Sequence, residues 1–418
     1  MKKLLIIENR HKTLFWVEIA RRLPLTFKIV VQNHEFIVDG EENIILPYYS
    51  KKEKTNLQIS SQLEKKLVTK RNRLDKERIK HYYSKLSELI DRESPDLVIG
   101  ESTLSHEIIT IDVCKQRKIP YYNLVSSRYP NKKFLIVKND TLEYVSSSLK
   151  SESTPLDSIM AQNITPDYMK ISSGRSKSLD DIFVNIKARF LGEKLNTPSV
   201  FFKLKQEFNS LCARLAWRYC ARGFDLAKFG SEKKLLYACQ MQPESNIDVW
   251  GVEYKDQFGL VQEILKHAKP DMTVLVKPNP KMKYEMNAKE VISLKRRGAV
   301  LVPFGYEMRA LFEEISGLVT VTGTVSYEAL SVGLPVCLLS NLPLPENREQ
   351  LNMKVTLYEF IEFMRRDGTK GKAFDIIGFL SSISFDGLIG DGKHNSVAMD
   401  ETNIQMIADS FNNAVLRN

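Results

Sequence analysis

Long apolar runs are scarce in this 418-residue chain. The opening stretch, Met-Lys-Lys-Leu-Leu-Ile-Ile-Glu-Asn-Arg, is apolar only from Leu4 to Ile7 before charge interrupts it. That is far short of a signal-peptide core or a membrane span, so a cytoplasmic protein is expected. Cysteine is sparse as well. Cys114, Cys212, Cys220, Cys239 and Cys337 are scattered, odd in number and without CxxC or His/Cys metal spacing. Neither a disulfide framework nor a structural zinc site is indicated. The six histidines are dispersed, and no Asp-x-Asp stands between predicted strands, so no metal is expected. Motifs of base-stacking aromatics are also missing, which excludes nucleic acid as the expected partner.

What the chain does have is enough apolar residue, 43%, to bury two sizeable cores. Its 61 Lys+Arg against 51 Asp+Glu give a net charge of +10, which favours anionic partners such as nucleotides, acidic glycans or a lipid headgroup surface. The cations are spread along helices and equally fit a solvated surface. Their densest stretch, Lys65 to Lys85, reads as a basic helix that could lie against an anionic inner-membrane face. It lacks the apolar stripe that an inserting helix needs.

Strands and helices alternate along the chain, the pattern of doubly wound parallel sheets. Strands are expected at Leu4–Ile7, Phe27–Val31, Ile44–Leu46, 95–100 and Pro120–Leu124, with helices at Leu14–Leu23 and Leu104–Arg117. From Ser147 the sequence turns polar and Ser-rich, with helical stretches at 179–190 and 200–220. The strand and helix rhythm restarts at Lys234 and runs through strands at Thr273–Lys277, Ala299–Val302, Leu318–Thr322 and Pro335–Leu339. The expected organisation is therefore a domain over 1–146, a helical connector over 147–233, a second domain over 234–400 and a terminal helix over 401–418.

Two open sheets of this kind bind ligands at their strand ends, in a cleft between the domains. Three loops of the second domain carry suitable groups. In Val321-Thr-Gly-Thr-Val-Ser-Tyr-Glu a strand runs through Thr322 into Gly323 and a helix begins near Thr324 and Ser326, so backbone N–H groups and the helix dipole would meet a phosphate. Glu328 lies one turn on, placed to accept from ribose hydroxyls. The same Gly-Thr turn is also an ordinary strand-to-helix connection. In Val276-Lys-Pro-Asn-Pro280, Lys277 offers a cation to a leaving phosphate; Lys-Pro-Asn-Pro is equally a plain turn. In the third, Gln240-Met-Gln-Pro-Glu-Ser-Asn246, the residues Gln242, Pro243, Glu244 and Ser245 supply groups that read a base or sugar edge, though amide-rich loops are often mere surface.

Taken together, YACQMQPESNIDVW (237–250), VKPNP (276–280), Pro303-Phe304 and VTGTVSYEALSVGLPV (321–336) resemble the capsule polysaccharide biosynthesis family of GT-B glycosyltransferases, which includes transferases of Kdo and other nonulosonic acids. The amino-terminal half matches only through Ile99-Gly-Glu-Ser102, His106-Glu107 and Ser127-Arg-Tyr-Pro130. The resemblance implies an α/β, GT-B-like fold of two Rossmann-like doubly wound parallel-sheet domains with a cleft between them. It implies a CMP-activated acidic sugar as donor substrate, held by the second domain without any cofactor, and a glycan or glycolipid acceptor held by the first. The family usually places histidine where this chain has Asn279, which can donate a hydrogen bond but carries no charge.

Transfer also needs a carboxylate near the anomeric carbon. Glu101, at the end of the 95–100 strand, is the candidate, with His106 one helical turn on; Glu101 or Ser102 is alternatively a helix cap and His106 a structural histidine. Arg128 is a candidate partner for a substrate carboxylate, and equally an ordinary surface arginine. Two other functions stay open: a CDP-polyol phosphotransferase on the same scaffold, and a catalytically silent nucleotide-binding subunit.

Overall fold

The computed structural model describes residues 1–51, 57–68, 75–127, 129–145, 195–196, 199–230, 232–345, 351, 353–390 and 396–417. They form two units. The first comprises 1–199 and 377–418, the second 200–376.

In the first unit, β1 (Lys2–Ile7), α1 (Thr13–Ala20), β2 (Leu25–Val31) and β3 (Asn43–Ile45) are followed by α2 (Ser61–Leu67) and α3 (Lys76–Glu93). Then come β4 (Leu97–Ile99), α4 (Ser105–Gln116), β5 (Tyr121–Ser126) and β6 (Lys133–Lys138). Leu4, Leu5, Ile6 and Ile7 are all buried, as expected of a central strand covered on both faces. The basic stretch 65–85 is not one helix: α2 ends at Leu67, α3 starts at Lys76, and 69–74 lie outside the described residues. Asp75 caps α3 by accepting from the Arg78 N–H at 3.2 Å, which fixes where that helix starts.

The second unit opens with α5 (Val200–Cys220) and continues as β7 (Lys233–Ala238), α6 (Gln257–Ala268), β8 (Met272–Lys277), α7 (Ala288–Arg296) and β9 (Val300–Leu301). Next are α8 (Met308–Glu314), β10 (Gly317–Thr320), α9 (Val325–Ser331), β11 (Val336–Leu338), β12 (Met353–Lys354) and α10 (Leu357–Arg366). The chain then returns to the first unit through α11 (Ile376–Ile383), β13 (Phe385–Asp386) and α12 (Glu401–Phe411).

These units differ from the organisation expected along the sequence. Residues 200–233 do not join a separate connector, because Ala213, Trp217 and Cys220 of α5 lie in the core of the second sheet. Residues 377–418 do not extend the second domain, because Phe385, Ile404, Ile407 and Phe411 lie in the core of the first. The 179–190 helix lies outside the described residues.

Strand order runs β13-β6-β5-β4-β1-β2-β3 in one sheet and β12-β11-β10-β7-β8-β9 in the other. Counted from its own first strand, each contains the order 3-2-1-4-5-6 of a dinucleotide-type doubly wound sheet. The second is parallel throughout. The first is parallel except at one edge, where β6 runs antiparallel to β5 and β13 antiparallel to β6. The protein is thus α/β with two Rossmann-like doubly wound sheets. All five cysteines are free.

Candidate functional site

In each sheet the order reverses between the first and fourth strands, and the loops leaving those strands diverge to opposite faces. That gap at the carboxyl edge is where doubly wound sheets take ligands. In the second unit it lies between β7 and β10, which pair directly, so the loops after Ala238 and Thr320 line it. The sequence-chosen 240–246 and 321–328 segments are these two loops, and Lys277 ends β8 on the other side of β7.

Gln240, not singled out in sequence, holds the two loops together. With its amide oriented by its neighbours, the carbonyl accepts from the N–H groups of Thr322 at 2.6 Å, Gly323 at 2.7 Å and Val321 at 3.2 Å. Its amide nitrogen donates to Thr322 Oγ1 at 2.9 Å, and that hydroxyl donates to Asn246 O at 2.8 Å. The N–H groups read from sequence as open to a phosphate are therefore already satisfied by a side chain. Gly323 has a packing reason: a Cβ there would lie 2.4 Å from Thr320 Oγ1. Ser326 is buried and donates to Gly323 O at 2.7 Å, so its hydroxyl closes the first turn of α9 and does not face a ligand. Thr324 and Glu328 are half-buried at the same turn and remain within reach of one.

Gln242 also differs from expectation. It is completely buried, and its amide donates to Asp248 Oδ1 at 2.9 Å and to Lys255 O at 3.1 Å while accepting from Gln257 Nε2 at 3.1 Å. Gln257 in turn accepts from the Gln240 N–H at 2.8 Å and from Tyr237 Oη at 3.0 Å. With all its polar atoms spent, Gln242 shapes the loop and cannot read a base edge. Pro243, Glu244 and Ser245 remain half-buried beside it. The Glu244 N–H donates to Asp248 Oδ2 at 3.2 Å, which leaves the Glu244 side chain apart from this network.

Lys277 is the unusual group. It is 5% exposed, and among the described residues its ammonium reaches only the Phe304 carbonyl, at 3.5 Å. Burial lowers its pKa from 10.5 to about 8, with the Cys239 thiol opposing weakly. No carboxylate accompanies it among the described residues. Asn279, two residues on, accepts the Lys281 N–H at 2.9 Å and so closes a local turn; its Nδ2 makes no hydrogen bond among the described residues.

At the corresponding gap of the first sheet, between β1 and β4, carboxylates gather. Glu8 is buried and accepts the N–H groups of Arg10 at 2.6 Å and Asn33 at 3.2 Å. Glu107 is buried and accepts from the N–H groups of Leu104 at 2.8 Å, Thr103 at 3.2 Å and Glu101 at 2.9 Å, and from Asn9 Nδ2 at 2.9 Å. It is the capping carboxylate of α4, and burial pushes its pKa up. Glu101 is partly exposed, ion-paired with Lys12, and accepts from Asn9 Nδ2 at 3.1 Å. The cap is therefore Glu107, which leaves Glu101 the carboxylate that reaches solvent.

His106 is not available to a substrate. It is fully buried, its Nε2–H donates to Glu8 O at 2.6 Å, and its Nδ1 accepts from Asn196 Nδ2 at 2.9 Å. Asn196 also accepts the Ser105 N–H at 2.8 Å and donates to Gln32 Oε1 at 3.2 Å, fastening the start of α4 to the end of β2. Arg128 lies outside the described residues.

The class that the fold defines is a two-unit α/β protein with a doubly wound, Rossmann-like sheet in each unit. No protein-family model matches the chain, and no curated protein matches it in sequence. Solved structures that it resembles include KpsC of Thermosulfurimonas dismutans, a beta Kdo 2,7 transferase, at 10% identity and a TM-score of 0.35, covering 97% of this chain and 99% of that one. The UDP-GlcNAc 2-epimerase of Neisseria meningitidis bound to UDP-GlcNAc aligns over 100% of both chains, at 12% identity and a TM-score of 0.26. The S. aureus MnaA–UDP complex aligns over 91% of this chain and 94% of that one, at 13% identity and a TM-score of 0.26.

Proposed function

We propose that this protein is a GT-B glycosyltransferase that takes its sugar from a nucleotide-activated donor, with the donor phosphate at Lys277. The observation that carries the reading is the buried Lys277 ammonium with no carboxylate beside it among the described residues. Such a charge costs folding free energy unless an anion meets it, and a phosphate at the carboxyl edge of a doubly wound sheet supplies one. Asn279 Nδ2 and the Thr324 hydroxyl add neutral donors, Glu328 takes the ribose, and Glu244 and Ser245 border the rest of the nucleotide.

The donor is, in this reading, a CMP-activated nonulosonic acid of the Kdo, pseudaminic, legionaminic or sialic type, and the acceptor a bacterial surface glycan of the capsule or lipopolysaccharide. The support is the resemblance carried by residues 237–250, 276–280 and 321–336. As the anomeric C–O bond to phosphate breaks, CMP departs with the electron pair and Lys277 offsets its charge. Glu101 takes the proton of the acceptor hydroxyl as the new C–O bond forms.

A second reading, binding without turnover, is favoured by Glu101 being tied to Lys12 and by Asn279 carrying no charge. Calorimetry with CMP, CDP and UDP tests the site. CMP binding that is lost in Lys277→Met is expected, preference for CDP would point to a polyol phosphotransferase, and binding of none would end the nucleotide reading. Release of CMP from CMP-Kdo or CMP-nonulosonic acids then separates transferase from silent subunit.

A further inference from the structure

Helix α5 has two apolar faces, and among the described residues only one of them has a partner. Ser210, Ala213, Trp217 and Cys220 form the inner face, fixed by the Trp217 indole donating to Val302 O at 2.9 Å. The outer face carries Phe201, Leu204, Phe208, Leu211, Leu215 and Tyr219, spaced at the three- and four-residue steps that align side chains on a helix. All six are exposed, Phe201 to 86%, Tyr219 to 68% and Phe208 to 65%. A continuous stripe of this size on a globular unit marks a contact surface.

The charges beside the stripe identify its partner. At 100° per residue, Lys205 falls on one flank and Arg214 and Arg218 on the other, all exposed. The one acid of the helix, Glu207, accepts from Tyr284 Oη at 2.8 Å. Arg222, just past the last turn, lies over the Tyr219 ring at 5.4 Å. An apolar arc with aromatic side chains, bordered by cations, matches the boundary of an anionic bilayer, where rings enter the acyl edge and cations meet lipid phosphates. A second copy of the same face fits less well, because each copy would bring Lys205, Arg214 and Arg218 against a single carboxylate, Glu207. The helix does not span: no helix among the described residues is long and apolar enough to cross a membrane.

We propose that α5 is an in-plane membrane-docking helix that seats the second unit on an anionic lipid surface through Phe201, Phe208 and Tyr219. Vesicle flotation of the full chain tests this. Binding is expected to vesicles of equimolar phosphatidylcholine and phosphatidylglycerol, at least about tenfold stronger than to phosphatidylcholine alone. The double variant Phe201→Ser, Phe208→Ser is expected to lose at least about tenfold in vesicle affinity. Arg214→Gln with Arg218→Gln is expected to lose the preference for the anionic lipid. Because these side chains are exposed, the variants should keep the parent Tm and the parent CMP affinity, so vesicle binding fails or survives independently of the nucleotide reading. Equal flotation of parent and Phe201→Ser, Phe208→Ser, or flotation of neither, would overturn the proposal. So would a dimer in analytical ultracentrifugation that this double variant dissociates, which would assign the face to a second copy.

Discussion

The two sheets share one strand order but carry opposite chemistry at the same topological position. Where β1 meets β4, three glutamates converge, and all but Glu101 spend their oxygens on backbone N–H groups. Where β7 meets β10 the backbone donors are satisfied by a neutral amide from Gln240, the buried carboxylates Asp248 and Glu285 are held by Gln242, and the buried group with no carboxylate beside it among the described residues is Lys277. Shared topology therefore sets where a ligand can sit, while the residues closing the gap set the sign of the charge it must carry. On the proposed reading a phosphate meets the second edge, and a hydroxyl-bearing acceptor that surrenders a proton meets the first.

The largest effect should come from breaking the acidic side of this contrast. Glu101→Gln is expected to reduce transfer on the order of a hundredfold or more while CMP affinity in calorimetry stays within a few-fold. Unchanged turnover would remove Glu101 from the chemistry.

Lys277→Met tests the basic side. CMP affinity should fall by at least about tenfold, while the apo protein gains roughly 1–3 kcal/mol at neutral pH because a desolvated charge has been removed. The pH dependence sharpens this. The folded lysine titrates at about 8 and the unfolded one at 10.5, so between these values the unfolded chain holds a proton that the folded chain has shed. Stability should accordingly rise with pH across that window in the parent protein and lose that component in the variant. Phosphate binding favours the ammonium, so CMP affinity should be level between about pH 7 and 8, where the CMP phosphate is already a dianion, and decline above that. Affinity that increases with pH through that range would contradict the assignment.

Smaller effects separate structure from chemistry. Glu107→Ala removes the cap of α4 and leaves several N–H groups unpaired, and should cost roughly 1–3 kcal/mol in denaturant unfolding. Gly323→Ala forces a methyl against Thr320 Oγ1, a clash of comparable cost, and should weaken CMP binding a few-fold through displacement of the Thr322 loop. If Gly323→Ala left both stability and affinity untouched, close packing would not be what requires glycine there.

Much of this contrast was legible in one dimension. Apolar runs such as Leu4–Ile7 and Thr273–Lys277 mark central strands because strands covered on both faces need no polar alternation. The loops after β7, β8 and β10 were legible because a doubly wound sheet puts its ligand groups there. What a side chain does inside such a loop was not. Gln242 read as an amide for a base or sugar edge and Gln240 carried no role, yet Gln242 is sealed within an amide network and Gln240 fills the turn at Thr322. His106 read as a catalytic neighbour of Glu101, but its partner is Asn196, about ninety residues further along, which no local pattern announces. The edge strand Phe385–Asp386 was equally silent, since two residues give no periodicity.

The return of residues 377–418 to the first core makes the second unit an insertion within the first. On a ribosome, residues 200–376 emerge before β13 and α12 exist to complete the first core. The unit encoded in the middle is thus the first able to close, and the unit that begins the chain must wait for Phe411.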